Sequence, residues 1–125
     1  MTKKRILAID DEPSITRLLK LNLEQTGLYE VREENFSTQA LDAAREFKPD
    51  LVISDVMMPE VGGGEIAALL REDPALRRVP VIFLTAAVRK EELGGPEAVI
   101  AGRLYIAKPL DVKSLLAAIE RILAK

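Results

Sequence analysis

Short aliphatic runs that stop abruptly on polar residues constrain the fold of this chain more than any other feature. Ile6-Leu7-Ala8-Ile9, Leu51-Val52-Ile53-Ser54 and Val81-Ile82-Phe83-Leu84 are too short for helices and are bounded by turn or charged residues. A strand with one wet face alternates apolar and polar side chains, so these runs read as strands buried on both faces. Tyr105-Ile106-Ala107 belongs to another such strand, and Tyr29-Glu30-Val31-Arg32 is polar enough to lie near a sheet edge. Segments of helical period separate them. Pro13 stands at a first helical position with acids before it, Ile15, Leu18, Leu19 and Leu23 supply an apolar face, and Gly27 ends the helix. Ser37 is the expected N-cap of the next helix, marked by Ala40, Ala43, Ala44 and Phe47 and broken at Pro49-Asp50. Glu65 to Arg71 predicts a helix with Ile66, Leu69 and Leu70 facing inward. Asp111 caps the last one, in which Val112, Leu115, Leu116, Ile119, Ile122 and Leu123 keep the period.

Five strand–helix units in succession imply a parallel sheet covered on both faces. The expected architecture is therefore α/β: a flavodoxin-like (βα)5 three-layer sandwich with a parallel five-stranded sheet in the order 2-1-3-4-5. Ligands of such sheets sit beyond the carboxyl ends of the strands, where the strand order switches. The 125 residues suit a single domain over 1–125 with no output domain. Apolar residues make up 48 % and aromatics only 4 %, so the core must be aliphatic. The net charge of −2, with both signs mixed, gives no basic region suited to nucleic acid. No apolar run approaches membrane-spanning length, and the run after the basic N-terminus stops at Asp10, too short for a signal peptide. A soluble cytoplasmic protein is the expectation. The chain has neither cysteine nor histidine, which excludes disulfides, thiolate metal sites and any histidine nucleophile, base or ligand of its own.

The residues after each buried strand carry the chemistry. Asp10, Asp11 and Glu12 come after the first, Asp55 after the third, Thr85 after the fourth and Lys108 after the fifth. In a parallel sheet these ends converge. Two unit charges about 5 Å apart repel by roughly 3 kcal/mol at an effective dielectric of 20, so three carboxylates need compensation. A divalent cation neutralises two, and Lys108 pairs with the third. Oxygen-only ligands select a hard ion, and a shallow site that keeps waters favours Mg²⁺ over Ca²⁺. The same pocket suits phosphoryl transfer, with cationic groups and a hydroxyl around the equatorial oxygens while a carboxylate attacks in line.

With these residues in place, the chain resembles the receiver domains of response regulators in two-component signalling. The resemblance spans essentially the whole chain. It rests on Ile9-Asp10-Asp11-Glu12-Pro13, Asp55-Val56-Met57-Met58-Pro59 with Gly63, Leu84-Thr85-Ala86 and Tyr105-Ile106-Ala107-Lys108-Pro109. It implies that Asp55 is the phosphoacceptor. It further implies that Asp11 ligates Mg²⁺ directly, that Asp10 does so directly or through water, and that the Met57 carbonyl is another ligand. Thr85 would donate to a phosphoryl oxygen, Lys108 would pair with Asp55 and then with the phosphoryl group, and Tyr105 would move inward as the switch aromatic. It also implies a cis Lys108–Pro109 bond. The expected role is a phosphorylation-controlled switch that is not a conventional enzyme. Its donor would be a sensor histidine kinase or histidine phosphotransfer protein, and its output a downstream protein.

Two other readings stand beside it. A degenerate receiver would bind partners without phosphate, although all the key polar positions are filled. A flavodoxin-like electron carrier would need a Ser/Thr/Gly phosphate loop where Asp10-Asp11-Glu12 repels phosphate. The chain also departs from the family. Gly62-Gly63-Gly64 replaces the usual Asp-Gly and loosens the start of the third helix. Met57 cannot orient a water, which points to slow self-hydrolysis. Gly94-Gly95-Pro96 is too costly for a regular fourth helix, each Gly at about 1 and Pro at about 3 kcal/mol. The expectation there is a turn over Arg89–Leu93, a break at Gly94-Gly95 and a second helical turn starting at Pro96, with Ala98, Val99 and Ile100 anchoring it to the sheet and low local stability throughout.

Overall fold

The computed structural model describes residues 3–85, 97–100, 103–108 and 111–124. The strands are β1 (Lys4–Ile9), β2 (Tyr29–Glu34), β3 (Leu51–Asp55), β4 (Val81–Thr85), β5 (Glu97–Ile100) and β6 (Arg103–Ala107). The helices are α1 (Pro13–Gln25), α2 (Ala40–Phe47), α3 (Gly63–Glu72) and α4 (Val112–Leu123), with a 3₁₀ turn at Ser37–Gln39 leading into α2. The sheet order is β2-β1-β3-β4-β6-β5. Its five parallel strands have the expected 2-1-3-4-5 order, and β5 adds a short antiparallel edge against β6.

The second helical turn expected from Pro96 is therefore corrected: Glu97–Ile100 is a strand. Proline at a helix start is a local preference. Here the β-branched pair Val99-Ile100 and the backbone groups along the free side of β6 prevail, because pairing satisfies them. The turn over Arg89–Leu93, the break at Gly94-Gly95 and the Lys108–Pro109 bond lie outside the described residues.

Two aliphatic layers cover the sheet. On one face Ile6, Ala8, Leu51, Ile53, Ile82, Leu84 and Ile106 pack against Leu19 and Leu23 of α1 and Leu115, Ala118 and Ile119 of α4. On the other, Leu7, Ile9 and Val52 meet Ala40, Ala43 and Ala44 of α2 and Ile66 and Leu70 of α3. Each fully buried Leu or Ile contributes about 1.5–3 kcal/mol, so this bilayer dominates stability. Two inward assignments fail. Leu18 and Leu69 are 39 % and 40 % exposed. Leu18 lies about 100° around the helix from Leu19, at the rim of the buried stripe. Thr16 is buried beside that stripe instead, its hydroxyl donating to the Pro13 carbonyl (3.2 Å) and accepting from Asn35 Nδ2 (2.9 Å). Leu69 is likewise displaced by its neighbours Ile66, Ala67 and Leu70.

The helix ends obey their sequence signals with one exception. Pro13 opens α1, Gly27 takes φ +78° just beyond its end, and Asp111 accepts from the Lys113 amide (3.1 Å) and the Ser114 hydroxyl (3.0 Å). Ser37 is not an N-cap. Its hydroxyl donates to the Pro59 carbonyl at 2.8 Å and accepts from the Val61 amide at 3.3 Å, tying α2 to the loop after β3. The β2 edge is closed by α1: Glu24 accepts the Val31 N–H (3.0 Å) and Lys20 donates to the Val31 carbonyl (2.8 Å). Both outward backbone groups of Val31 are thereby occupied, which blunts pairing at this edge.

Candidate functional site

Four parallel strands deliver their polar ends to one place. Asp10 comes directly after β1, Asp55 ends β3, Thr85 ends β4 and Lys108 comes directly after β6. The backbone sets these ends level: Asp55 is in register with Leu84 and Thr85 with Ala107, and the Lys108 amide donates to the Thr85 carbonyl at 2.8 Å. Asp10, Asp55 and Thr85 are buried, while Asp11 projects into solvent at the mouth. Carboxylate oxygens of Asp10, Asp11 and Asp55 all lie within 4.8 Å of one another.

Lys108 reaches into this cluster with its side chain only 13 % exposed. Its ammonium is 3.0 Å from Asp10 Oδ2, 3.4 Å from Asp55 Oδ1 and 4.0 Å from Glu12 Oε1. The sequence pairs Lys108 with Asp55. The structure adds Asp10 as the nearer partner, because the lysine enters between the ends of β1 and β3. The other Asp10 oxygen accepts from the Glu12 amide at 3.0 Å.

Burial pushes the Asp10 carboxyl above its ordinary range, against the Glu12 amide and Lys108, with the negative field of Asp55 adding to the rise. Burial raises Asp55 as well. There the pull of Lys108 works downward and the field of Asp11 upward. Burial opposes the charge on Lys108, but the hydrogen bond and fields of Asp10 and Asp55 outweigh it and raise its pKa. One ammonium thus leaves three carboxylates under-compensated. A converging set of hard oxygen donors with about two surplus negative charges fits a divalent cation such as Mg²⁺. Asp10, Asp11 and Asp55 are the side chains placed to hold it.

Met57 stands two residues past Asp55 with its side chain 71 % exposed, so any part it plays falls to its backbone, while Met58 packs on the α2–α3 core as a filler. Tyr105 is half-buried and stacks on Phe83, its register partner on β4, with ring centroids 5.2 Å apart and planes inclined by 23°. Arg103, on the same side of β6, lies over the Phe83 ring at 5.5 Å.

Two contributors, Asn35 and Phe83, are not singled out by the sequence motifs, and a third, Gly63 of the motif, gains its physical reason here. Asn35 donates to the Asp10 carbonyl at 2.8 Å and so braces the end of β1. It stands immediately after β2, so the rule that polar residues at strand ends carry the chemistry finds it once the polar edge strand is included. Phe83 passes for an ordinary core aromatic until its register with Tyr105 is known. Gly63 opens α3 directly against the backbone of Asp55 and Val56, and its amide donates to the Val56 carbonyl at 3.0 Å. Beside it, Glu60 takes φ +70° and the Val61 amide donates to the Pro59 carbonyl at 2.8 Å, a strained tight turn next to the site.

Comparison with known proteins agrees with this geometry. The family model of the response regulator receiver domain matches residues 6–120. The polar-differentiation response regulator DivK of Brucella anthropi is 34 % identical over 122 residues, covering 96 % of both chains. A putative response regulator from Chloroflexus aurantiacus superposes with a TM-score of 0.83 at 29 % identity, over 99 % of this chain and 100 % of the other. The receiver domain of a Pseudomonas aeruginosa sensor histidine kinase, solved with magnesium coordinated in its active site cleft, superposes at 0.82 with 26 % identity, over 99 % and 100 %. Strand order, the carboxylate cluster with its lysine and these matches over nearly the full length lead to one conclusion: the chain belongs to the response regulator receiver domain family.

Proposed function

We propose that this chain is a phosphorylation-controlled signalling switch in which Asp55 accepts a phosphoryl group from a phosphohistidine of a partner kinase or phosphotransfer protein. The observation that carries the reading is the cluster of Asp10, Asp11 and Asp55 within 4.8 Å, with Lys108 held against two of them. An Asp55 carboxylate oxygen attacks phosphorus and forms an acyl phosphate as the P–N bond to the partner imidazole breaks. The imidazole leaves with the bonding pair and takes up a proton. Asp10, Asp11, Asp55 and the Met57 carbonyl would hold Mg²⁺, which when bound offsets charge on the transferring phosphoryl oxygens. Lys108, charged and already in position, swings from Asp55 to the phosphoryl group. Burial of Asp55 and Thr85 keeps the site dry on the protein side and strengthens these interactions.

The switch arises from the same strand ends. The new phosphoryl oxygens draw the Thr85 hydroxyl, the end of β4 shifts, and Tyr105 moves toward the vacated space, leaving its stack on Phe83. The chain promotes its own phosphorylation and dephosphorylation without acting as a conventional enzyme, and it works in the cytoplasm. Incubation with Mg²⁺ and acetyl phosphate, followed by intact mass, tests the reading. Addition of one phosphoryl group that requires Mg²⁺ and disappears in Asp55→Asn is expected. No modification of the wild type, or modification that persists in Asp55→Asn, would overturn it.

A further inference from the structure

At the opposite end of the sheet, a cleft of about 320 Å³ opens between α3 and the first residues of β4 and β6. Arg71, Arg77, Arg78 and Arg103 line it, over a floor that includes the half-buried Val79, Pro80 and Leu104, and no acidic residue is among the described residues of its lining. Val81, at the outer end of the cleft, precedes Leu84, the register partner of Asp55, by three residues, so that end stands roughly 10 Å from the level of Asp55 at about 3.3 Å per residue. It is a separate site.

The net charge of −2 means that acids are plentiful in this chain, yet none of those among the described residues lines the cleft. Among the described residues none of the four arginines forms an ion pair. Asp73, the nearest acid on the connecting loop, is taken by Arg45 at 2.8 Å. Among the described residues Arg103 engages Phe83 through its face, a contact that does not use its N–H donors. Among the described residues only Asp73 offsets any of these charges, through the field it shares with Arg77, and four like charges so little compensated around one concavity favour an anionic ligand.

We propose that this cleft is a docking site for an acidic, apolar segment of a partner protein, with carboxylates on the arginines and an aliphatic side chain on the floor. Guanidinium forks match carboxylates in bidentate geometry, and arginine ringing an apolar centre is the composition of energetically dominant interface patches. The apolar floor and the concave, side-chain-sized volume favour a peptide over nucleic acid, whose backbone is served by an open basic track. Binding to the unphosphorylated chain is read without any phosphotransfer, so its test separates from that of Asp55.

The test is a fluorescence anisotropy titration of the full chain with a short labelled peptide of Glu-Glu-Leu repeats, with amide chemical-shift mapping. Three probes serve as controls: the same peptide with Gln for Glu, the same peptide with Ser for Leu, and a single-stranded oligonucleotide of equal charge. The Glu/Leu peptide should bind with shifts confined to α3, the 73–80 connection and the start of β4. Each peptide control should bind at least about tenfold more weakly, as expected when charge-assisted bonds or a buried anchor are lost. Arg71→Glu with Arg78→Glu should abolish binding while phosphorylation of Asp55 by acetyl phosphate proceeds at the wild-type rate. If that double variant does not fold, Arg78→Gln alone and the peptide controls on the wild type decide. Absence of saturable binding, equal binding of the Leu→Ser peptide, equal binding of the oligonucleotide, or shifts spread over Lys3–Arg5 and Lys48 would each overturn the proposal.

Discussion

Gly63 offers the sharpest test of how the backbone holds Asp55. A Cβ added there would fall inside the van der Waals shell of the Asp55 carbonyl oxygen, with Val56 Cα at 3.1 Å and the Asp55 carbonyl carbon at 3.2 Å. All three are backbone atoms, so no side-chain rotation relieves the overlap. Either α3 retreats or the end of β3 does, by an amount on the order of 1 Å. Overpacking of this kind costs about 1–3 kcal/mol. A misplacement of about 1 Å at a reacting group lowers rate by about 10²-fold. Gly64 is the matched control. Among the described residues a Cβ there meets only Arg103 Nη1 at 3.9 Å, so Gly64→Ala should stabilise by about 0.5–1 kcal/mol through helix propensity and unfolded-state entropy. Urea unfolding followed by far-UV circular dichroism gives the stabilities, and intact mass after acetyl phosphate gives the rates. The expected pattern is Gly63→Ala destabilised and phosphorylated far more slowly, with Gly64→Ala stabilised and unimpaired. Gly63→Ala as stable and as quickly phosphorylated as Gly64→Ala would refute the role of that close approach.

Glu24 tests the closed β2 edge. The Val31 N–H, and after it Lys20, pull its carboxyl below the ordinary range against a smaller effect of burial. A depressed carboxyl stabilises above its unfolded pKa and loses that contribution as pH falls through the folded value. Glu24→Ala should therefore cost about 1 kcal/mol at neutral pH, the usual worth of such a hydrogen bond, and match wild type in strong acid; a pH-independent difference in urea midpoints would argue against it. Asp11→Asn should weaken Mg²⁺ binding and phosphorylation together, read by calorimetry and mass, and unchanged phosphorylation would remove Asp11 from the metal site. Thr85→Ala should leave Asp55 phosphorylatable while blunting the Tyr105 response in NMR; a full wild-type response of Tyr105 would break the proposed coupling.

The carboxylate-bearing end of the sheet is legible in the sequence because two simple rules meet there. Continuous aliphatic runs mark strands buried on both faces, and a parallel sheet puts all their carboxyl ends on one side. Those two rules suffice to bring Asp10, Asp55, Thr85 and Lys108 together. The failures share a physical cause, namely choices that local sequence leaves open and tertiary packing makes. Leu18 and Leu69 are apolar at almost the right period, yet the stripe each helix buries is narrower than the apolar set it carries. Ser37 can cap a helix or reach across to the loop after β3, and only the position of Pro59 decides. Lys108 has three carboxylates within reach, and strand stagger rather than spacing ranks Asp10 first. Pro96 signals a helix start by a preference that sheet pairing of Glu97–Ile100 overrides.

The antiparallel β5 also bears on how the domain comes together in time. Ile100 pairs with Arg103, so β5 and β6 join through a very short connection, whereas β1 must find β3 across the whole of α1, β2 and α2. A hairpin closes in about 1–10 μs, while pairings between distant segments await slower loop closure. The last strands of the chain can therefore form a local unit ahead of the sheet that receives them. The pocket has no such shortcut: its tightest ion pair, Lys108 with Asp10, bridges 98 positions. During synthesis the carboxylates of Asp10, Asp11 and Asp55 emerge first and wait without their lysine until β6 and Lys108 follow. Assembly of the pocket is consequently a late event, and a sheet that has not yet taken up β6 holds its carboxylates without their ammonium.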